Sequence, residues 1–335
     1  MSKQSLGRAA ADRQAAHATA RESFDAALAA RACRRYFLDD RTKQEIAAEL
    51  GISRFKVARL LREARAKGLV RIEVLDPGEL DARRRRALRE RWGLRDAVLV
   101  APDEPGELLP ALGAGAARLL RRALRPGDVL GIAWGSTLEA TVSALEAEGG
   151  PAPVDVVQLA GGFQGVEPAY NAIELAGRAA RVLGGRLHPL HAPALLSTAE
   201  TRARLLREPS VAATVRRFGE VTVALVGIGA LQPRPTSALY QGGVLNPAML
   251  RELRRRGAVG DAFCQFLDEG GKVLTGFGDR IIGMEVERIG AVPLRIGVAG
   301  GADKLVAIRA ALRSGLVNAL VTDAPSAEAL LQPER

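Results

Sequence analysis

From residue 96 onward, short runs dominated by Val, Leu and Ile recur at 97–100, 129–133, 154–159, 221–226, 294–298 and 319–321. Strands that are apolar on both faces must be covered on both faces, which is the condition met by parallel sheets in α/β folds. The intervening stretches at 108–124, 137–145, 170–183, 199–206 and 304–314 carry helical periodicity. This alternation predicts a doubly wound parallel sheet with helices on both sides. In such a sheet a ligand sits beyond the carboxyl ends of the strands, so the strand-to-helix loops are where function is sought.

The first 95 residues follow a different pattern. Residues 42–67 read as two short helices joined at Gly51. Thr42 can cap the first while Glu45, three residues on, reaches back to the cap, and Ile46, Ala47 and Leu50 form one apolar face. Ser53 caps the second, in which Val57, Leu60, Leu61 and Ala64 repeat at helical spacing. That spacing turns Arg54, Phe55, Lys56 and Arg59 away from the core, in the manner of a helix-turn-helix that reads the DNA major groove. Ser53 belongs with these four as a DNA-contact candidate, as do Thr42 and Gln44 at the start of the first helix. Strand alternation from Gly68 to Val74 suggests that a wing follows the pair.

Charge is partitioned accordingly. Residues 1–95 hold 23 lysines and arginines against 13 acidic residues, which is the whole net excess of +10, and the remaining 240 residues hold 25 of each sign. Confining the excess to one end points to a nucleic-acid module joined to a neutral one, rather than to diffuse attraction for polyanions. Neither a long apolar span nor a signal-type leader is evident, so a cytoplasmic location with no membrane partner is expected. Cys33 and Cys264 lie too far apart in sequence to form a disulfide framework or a metal motif.

The expected organisation is a mobile arm over 1–20, a helix-turn-helix domain over 21–75, a connector helix over 76–95 and the α/β domain over 96–335. A brace helix over 22–37 precedes the reading pair. Leu80, Leu88 and Trp92 punctuate the arginine-rich connector, where Arg83 to Arg86 read better as a solvated face than as DNA contacts.

Three strand-to-helix loops are rich in glycine and small polar residues. Gly131-Ile-Ala-Trp-Gly-Ser-Thr137 places Gly135, Ser136 and Thr137 at a helix start, where backbone amides and hydroxyls favour an anion. It lacks the Gly-Lys-Ser/Thr of a triphosphate loop, so a single phosphate on a small molecule fits better. Gly161 and Gly162 stand in the second loop, a weaker signal compatible with a tight turn. The third loop, Ala299-Gly-Gly-Ala-Asp-Lys304, ends on one of the two lysines beyond residue 95, the other being Lys272. A lysine at a helix start has its charge at the unfavourable end of the dipole, which favours contact with an anion or a carbonyl.

Taken in order with Tyr36 to Ala47, Gln158 to Gly162, His191 to Ala194, Gly227 to Gly229 and Gly257 to Asp261, these motifs resemble the SorC-type sugar-binding transcriptional regulators. These are relatives of the deoxyribonucleoside regulator and the central glycolytic genes regulator. The resemblance spans about residues 30–330. It implies an N-terminal winged helix-turn-helix and an isomerase-like domain that binds a phosphorylated sugar effector through Gly135, Ser136, Thr137, Asp261 and Lys304. It further implies operator DNA as partner and a homo-oligomer, dimer or tetramer. No cofactor, metal or catalytic residue is expected. The competing class is an isomerase or deaminase of sugar phosphates, for which Asp261, Glu139 or His188 would have to serve as base. Pro189 interrupts the His188-Pro-Leu-His191 stretch and argues against a helical two-histidine metal site.

Overall fold

The computed structural model describes residues 25–71, 77–102, 104–148, 153–162 and 171–333. It divides into two compact units between residues 75 and 76. The arm expected over 1–20 and the start of the brace helix lie outside the described residues.

In the first unit, α1 (Ala26–Phe37) starts where the Asp25 carboxylate accepts the Leu28 amide at 2.9 Å. Helix α2 (Lys43–Leu50) opens on a reciprocal cap: the Glu45 amide donates to Thr42 Oγ1 at 3.3 Å, and the Thr42 amide donates to Glu45 Oε2 at 2.8 Å. Gly51, at φ 64°, ends it. Ser53 caps α3 (Arg54–Ala66), its hydroxyl accepting the Lys56 amide at 3.1 Å. The core consists of Ile46, Val57, Leu60, Leu61 and Ala64 closed over Ala29, Ala32 and Cys33 of α1. Beyond α3 the chain turns at 67–70, and residues 72–74 of the strand expected over 68–74 lie outside the described residues.

The second unit begins with α4 (Pro77–Trp92), the stretch expected as a connector. It is built into this unit. Leu88 is fully buried in the core, the Trp92 indole donates to the Leu330 carbonyl at 3.3 Å, and Arg84 pairs with Glu328 at 3.2 Å. There follow β1 (Asp96–Val100), α5 (Leu108–Ala123), β2 (Val129–Ile132), α6 (Ser136–Glu148), β3 (Asp155–Gln158), α7 (Ala172–Val182) and β4 (Leu187–His188). Next come α8 (Ala199–Leu205), α9 (Pro209–Arg217), β5 (Val223–Ala230), α10 (Ala238–Gln241), α11 (Pro247–Arg255), β6 (Ala258–Ala262) and β7 (Gln265–Asp268). The chain closes with α12 (Val286–Ala291), β8 (Leu294–Val298), α13 (Leu305–Arg313), β9 (Ala319–Asp323) and α14 (Ala324–Leu331).

Among the described residues, seven strands form a parallel sheet in the order β4, β3, β2, β5, β8, β9, β1. The six expected strands are all present, and their residues face the core on both sides, as the β5 run Val223–Ala230 shows with seven of its eight residues buried. Several features were not anticipated, among them the helices α9 to α12 and α14. The edge strand β4 has two residues, too few to show a period. The hairpin β6–β7 adds antiparallel to the end of β5, pairing Gly229 with Asp261.

The burial of Leu88 yields a stability test. In a fragment comprising residues 76–335, Leu88→Ala should lower the unfolding free energy in urea by about 2–5 kcal/mol, the usual cost of emptying a core leucine site. A helix that merely spans two units would show almost no effect.

Candidate functional site

Strands β2 and β5 lie side by side, but the strands that follow β2 are laid down on one side of the pair and those that follow β5 on the other. Connections leaving the two carboxyl ends therefore diverge and open a crevice between them. An open cleft of about 490 Å³, counting the part open to solvent, occupies that place.

One wall is the start of α6. Gly135, at φ 136°, Ser136 and Thr137 line the cleft. The Leu138 and Glu139 amides fold back onto the Gly135 carbonyl at 3.0 and 2.9 Å. A glycine at this position has no side chain to cap the helix, so the first amides and the positive end of the dipole are available to an anion. The loop is anchored from behind, where the buried Trp134 indole donates to the Gly161 carbonyl at 3.0 Å.

The floor is β5 with the hairpin paired to its end. A Cβ on Gly229 would stand 2.5 Å from Asp261 Oδ1 and 2.7 Å from Ser237 Cα, so glycine is required for this approach. Asp261 is buried, and among the described residues neither its Oδ1 nor the Ser237 hydroxyl beside it has a partner in good hydrogen-bonding geometry. Burial pushes the Asp261 carboxyl up to about 6, against the opposing pull of the Ser237 hydroxyl and the Lys304 ammonium. Lys304, half-buried at the entrance to α13, lines the same cleft, and desolvation holds its pKa below the ordinary lysine value despite the Asp261 charge.

The lysine loop is positioned by a residue that sequence reasoning missed. Asp323, at the end of β9, accepts the Gly301 amide at 2.9 Å through Oδ1 and caps α14 by accepting the Ser326 amide at 3.3 Å through Oδ2. The signal was available: Asp323 followed by Ala-Pro is a helix-start pattern. Phe263 and Cys264 also face the cleft, both buried, at φ 54° and 59° in the hairpin turn. Burial, reinforced by the Asp261 charge, raises the Cys264 thiol far above its usual range and keeps it protonated. Gln241 of the unassigned Tyr240-Gln-Gly-Gly243 stretch reaches the rim.

Of the effector candidates, Gly135, Ser136, Thr137, Asp261 and Lys304 converge on one cleft. Gly161 and Gly162 do not line it. A Cβ on Gly161 would press within 2.5 Å of the Pro193 backbone, so that glycine serves close chain packing, and Gly162 bridges to Pro193 outside the cleft. Of the three residues nominated as bases for an enzyme, Asp261 lies in the cleft and the other two are engaged elsewhere. Glu139 pairs with Arg178 at 3.4 Å, and His188 Nε2 lies 3.1 Å from Asp155. Among the described residues, no group of three or more His, Cys, Asp or Glu is placed to hold a metal ion, and no helix is long and apolar enough to cross a membrane.

In the first unit, Thr42, Gln44, Ser53, Arg54, Phe55 and Arg59 are exposed and Lys56 is half-buried. The Thr42 and Ser53 hydroxyls are occupied as caps, and Arg59 lies 3.9 Å from Glu63.

The Asp261 environment makes a signed prediction. Because the folded state holds this proton up to about pH 6 and the ordinary carboxyl value is 3.8, the folded state binds more protons than the unfolded one between those values. Stability contributed by the protonated form is therefore full at low pH and falls as pH rises through that window, by about 3 kcal/mol. Asp261→Asn should remove this component, so the wild-type minus variant unfolding free energy, measured from pH 4 to 7, should decline with pH. A flat or rising difference would refute the burial argument.

Comparison with known proteins agrees with this architecture. Residues 77–332 match the Sugar-bind family of sugar-binding domains. Over 307 residues the chain is 33% identical to the transcriptional regulator LsrR of Klebsiella pneumoniae subsp. pneumoniae, covering 91% of this chain and 92% of that protein. Over 314 residues it is 30% identical to the sorbitol operon regulator of Klebsiella pneumoniae, covering 92% and 99% respectively. The crystal structure of full-length SorC, the sorbitol operon regulator from Klebsiella pneumoniae, superposes with a TM-score of 0.73 at 29% identity, covering 92% of this chain and all of that one. These relatives are regulators rather than enzymes, and they match across both units. The chain belongs to the SorC-type family of sugar-binding transcriptional regulators.

Proposed function

We propose that the cleft between β2 and β5 binds a phosphorylated sugar and that its occupancy alters the grip of the α2–α3 pair on operator DNA. The observation that carries the effector half is the unsatisfied, buried Asp261 Oδ1 beside Lys304 and the uncapped start of α6. A buried carboxylate oxygen without a partner costs stability unless a ligand supplies a donor, and a sugar hydroxyl does so. An anion at Gly135, Ser136 and Thr137 would be held by amides and hydroxyls, while Lys304 adds charge from across the cleft. A hydroxyl donated to Asp261 favours its ionised form, so ligand binding below about pH 6 is accompanied by proton release.

On the DNA side, Arg54, Phe55, Lys56 and Arg59, with Gln44, supply the contacts, while Ser53 and Thr42 hold the helix starts and offer backbone or hydroxyl groups to phosphates. A two-fold operator requires at least a dimer, and the protein acts in the cytoplasm as a dimer or tetramer. An effector that discriminates between two DNA-binding states by about 100-fold supplies roughly 2.7 kcal/mol of coupling. The proposed division of the chain is a reading domain up to residue 75 and a sensing and oligomerising domain from there on.

Calorimetry against phosphorylated sugars and their unphosphorylated parents tests the effector half. Only the phosphorylated forms should bind, and Lys304→Ala should weaken them at least tenfold while operator affinity without effector stays the same. In a salt series of operator binding, Arg54→Ala and Arg59→Ala should each reduce affinity and lower the log–log salt slope by about one, with sugar binding unchanged. Failure to bind any phosphorylated sugar, or equal loss of both activities in each variant, would overturn the assignment.

A further inference from the structure

The second position of α3 carries the most exposed large apolar side chain among the described residues: Phe55 is 87% exposed. It cannot be explained by the core of its own unit, because Val57, Leu60, Leu61 and Ala64 already fill the buried face of α3. Nor does it help the helix, since a ring at this place gains no cap and aromatic residues are ordinary helix formers. Its neighbours are the cations Arg54 and Lys56, which would hold a phosphate backbone close to it. Residues at the start of a reading helix are those that reach base edges in the major groove. There the apolar features on offer are the C5-methyl groups of thymine and of methylated cytosine.

Resting on the assignment of α3 as the DNA-reading helix, we infer that Phe55 is a specificity residue that recognises a 5-methylpyrimidine in the operator. The ring has no hydrogen-bonding group, so it discriminates by covering the methyl group and excluding water from it. A donor or acceptor at this position would read the base-pair edge instead; Phe55 reads the one substituent that hydrogen bonding cannot detect. Each two-fold-related half of an operator would carry one such pyrimidine, bracketed by the phosphates that Arg54 and Lys56 contact.

The experiment uses the full-length protein. Operators are selected from random duplexes, and each thymine in the selected site is then replaced singly by uracil, which differs only by the missing methyl group. One position per half-site should lose about fourfold in affinity, the worth of burying one methyl group. Phe55→Ala should bind more weakly, lose sensitivity at that position alone and retain the wild-type salt slope. At the same position, placed opposite guanine, 5-methylcytosine should bind better than cytosine to the wild type and equally to the variant. That arm separates the methyl group from the rest of thymine. Sites with no methyl-sensitive position, or sensitivity that survives in Phe55→Ala, would overturn this inference while leaving the DNA-reading helix in place. Absence of binding to any duplex would overturn both.

Discussion

The pairing of β2 with β5 is the contact on which the functional part of this molecule depends. Leu130, Gly131 and Ile132 align with Val223, Ala224 and Leu225, bringing together segments more than ninety residues apart. Because the strands that follow β2 and those that follow β5 are added outward from this pair in opposite directions, the connections leaving the two carboxyl ends diverge and a crevice is left. The Gly135 loop rises from one strand, Gly229 and the paired hairpin from the other, and the lysine loop from the adjacent β8. Displacing any of these would separate Asp261, Lys304 and the start of α6. The crevice is thus a consequence of strand order, and the side chains in it add chemistry to an opening the backbone already provides.

Within that opening the residues are kept under unfavourable conditions by rigid neighbours. Asp261 is buried without a full set of partners, and Lys304 is desolvated at the positive end of a helix. Phe263 and Cys264 adopt a left-handed backbone that bulky residues rarely take. Close contacts surround the site: Gly229 sits against the Asp261 carboxylate, and Asp323 accepts the Gly301 amide. A cleft with unmet polar demand is what a ligand with hydroxyls and an anionic group would relieve. The first unit shows the opposite economy: a small core, each helix start capped, and its cations and Phe55 turned outward.

Much of this was legible in the residues. The six expected strands announced themselves through runs of β-branched and aliphatic residues, and Thr42, read from its spacing to Glu45, and Ser53 cap their helices as expected. The hairpin did not announce itself. Its turn is Phe263-Cys264 rather than an Asn-Gly or Asp-Gly pair, so the usual chemistry of a two-residue turn is absent and tertiary packing imposes the geometry. The arginine-rich helix was expected as a connector punctuated by Leu80, Leu88 and Trp92, and Leu88 and Trp92 are residues that pack it against the sheet domain. Gly161 shows the limit of motif reading, since a glycine that permits ligand approach and one that permits chain approach look identical in a sequence.

Local spacing is enough to establish six of the parallel strands, the paired helices of the first unit with their caps, and that the basic excess belongs to one module and the sheet to another. Those properties depend on neighbours a few residues away, which a linear chain records directly. Which loops face each other, that Asp261 is stripped of water, that Lys304 stands near it and that Gly161 faces elsewhere all follow from strand order and close packing. These relations join residues dozens of positions apart, and they exist only once the sheet is assembled, because burial and distance are properties of the folded chain rather than of its letters.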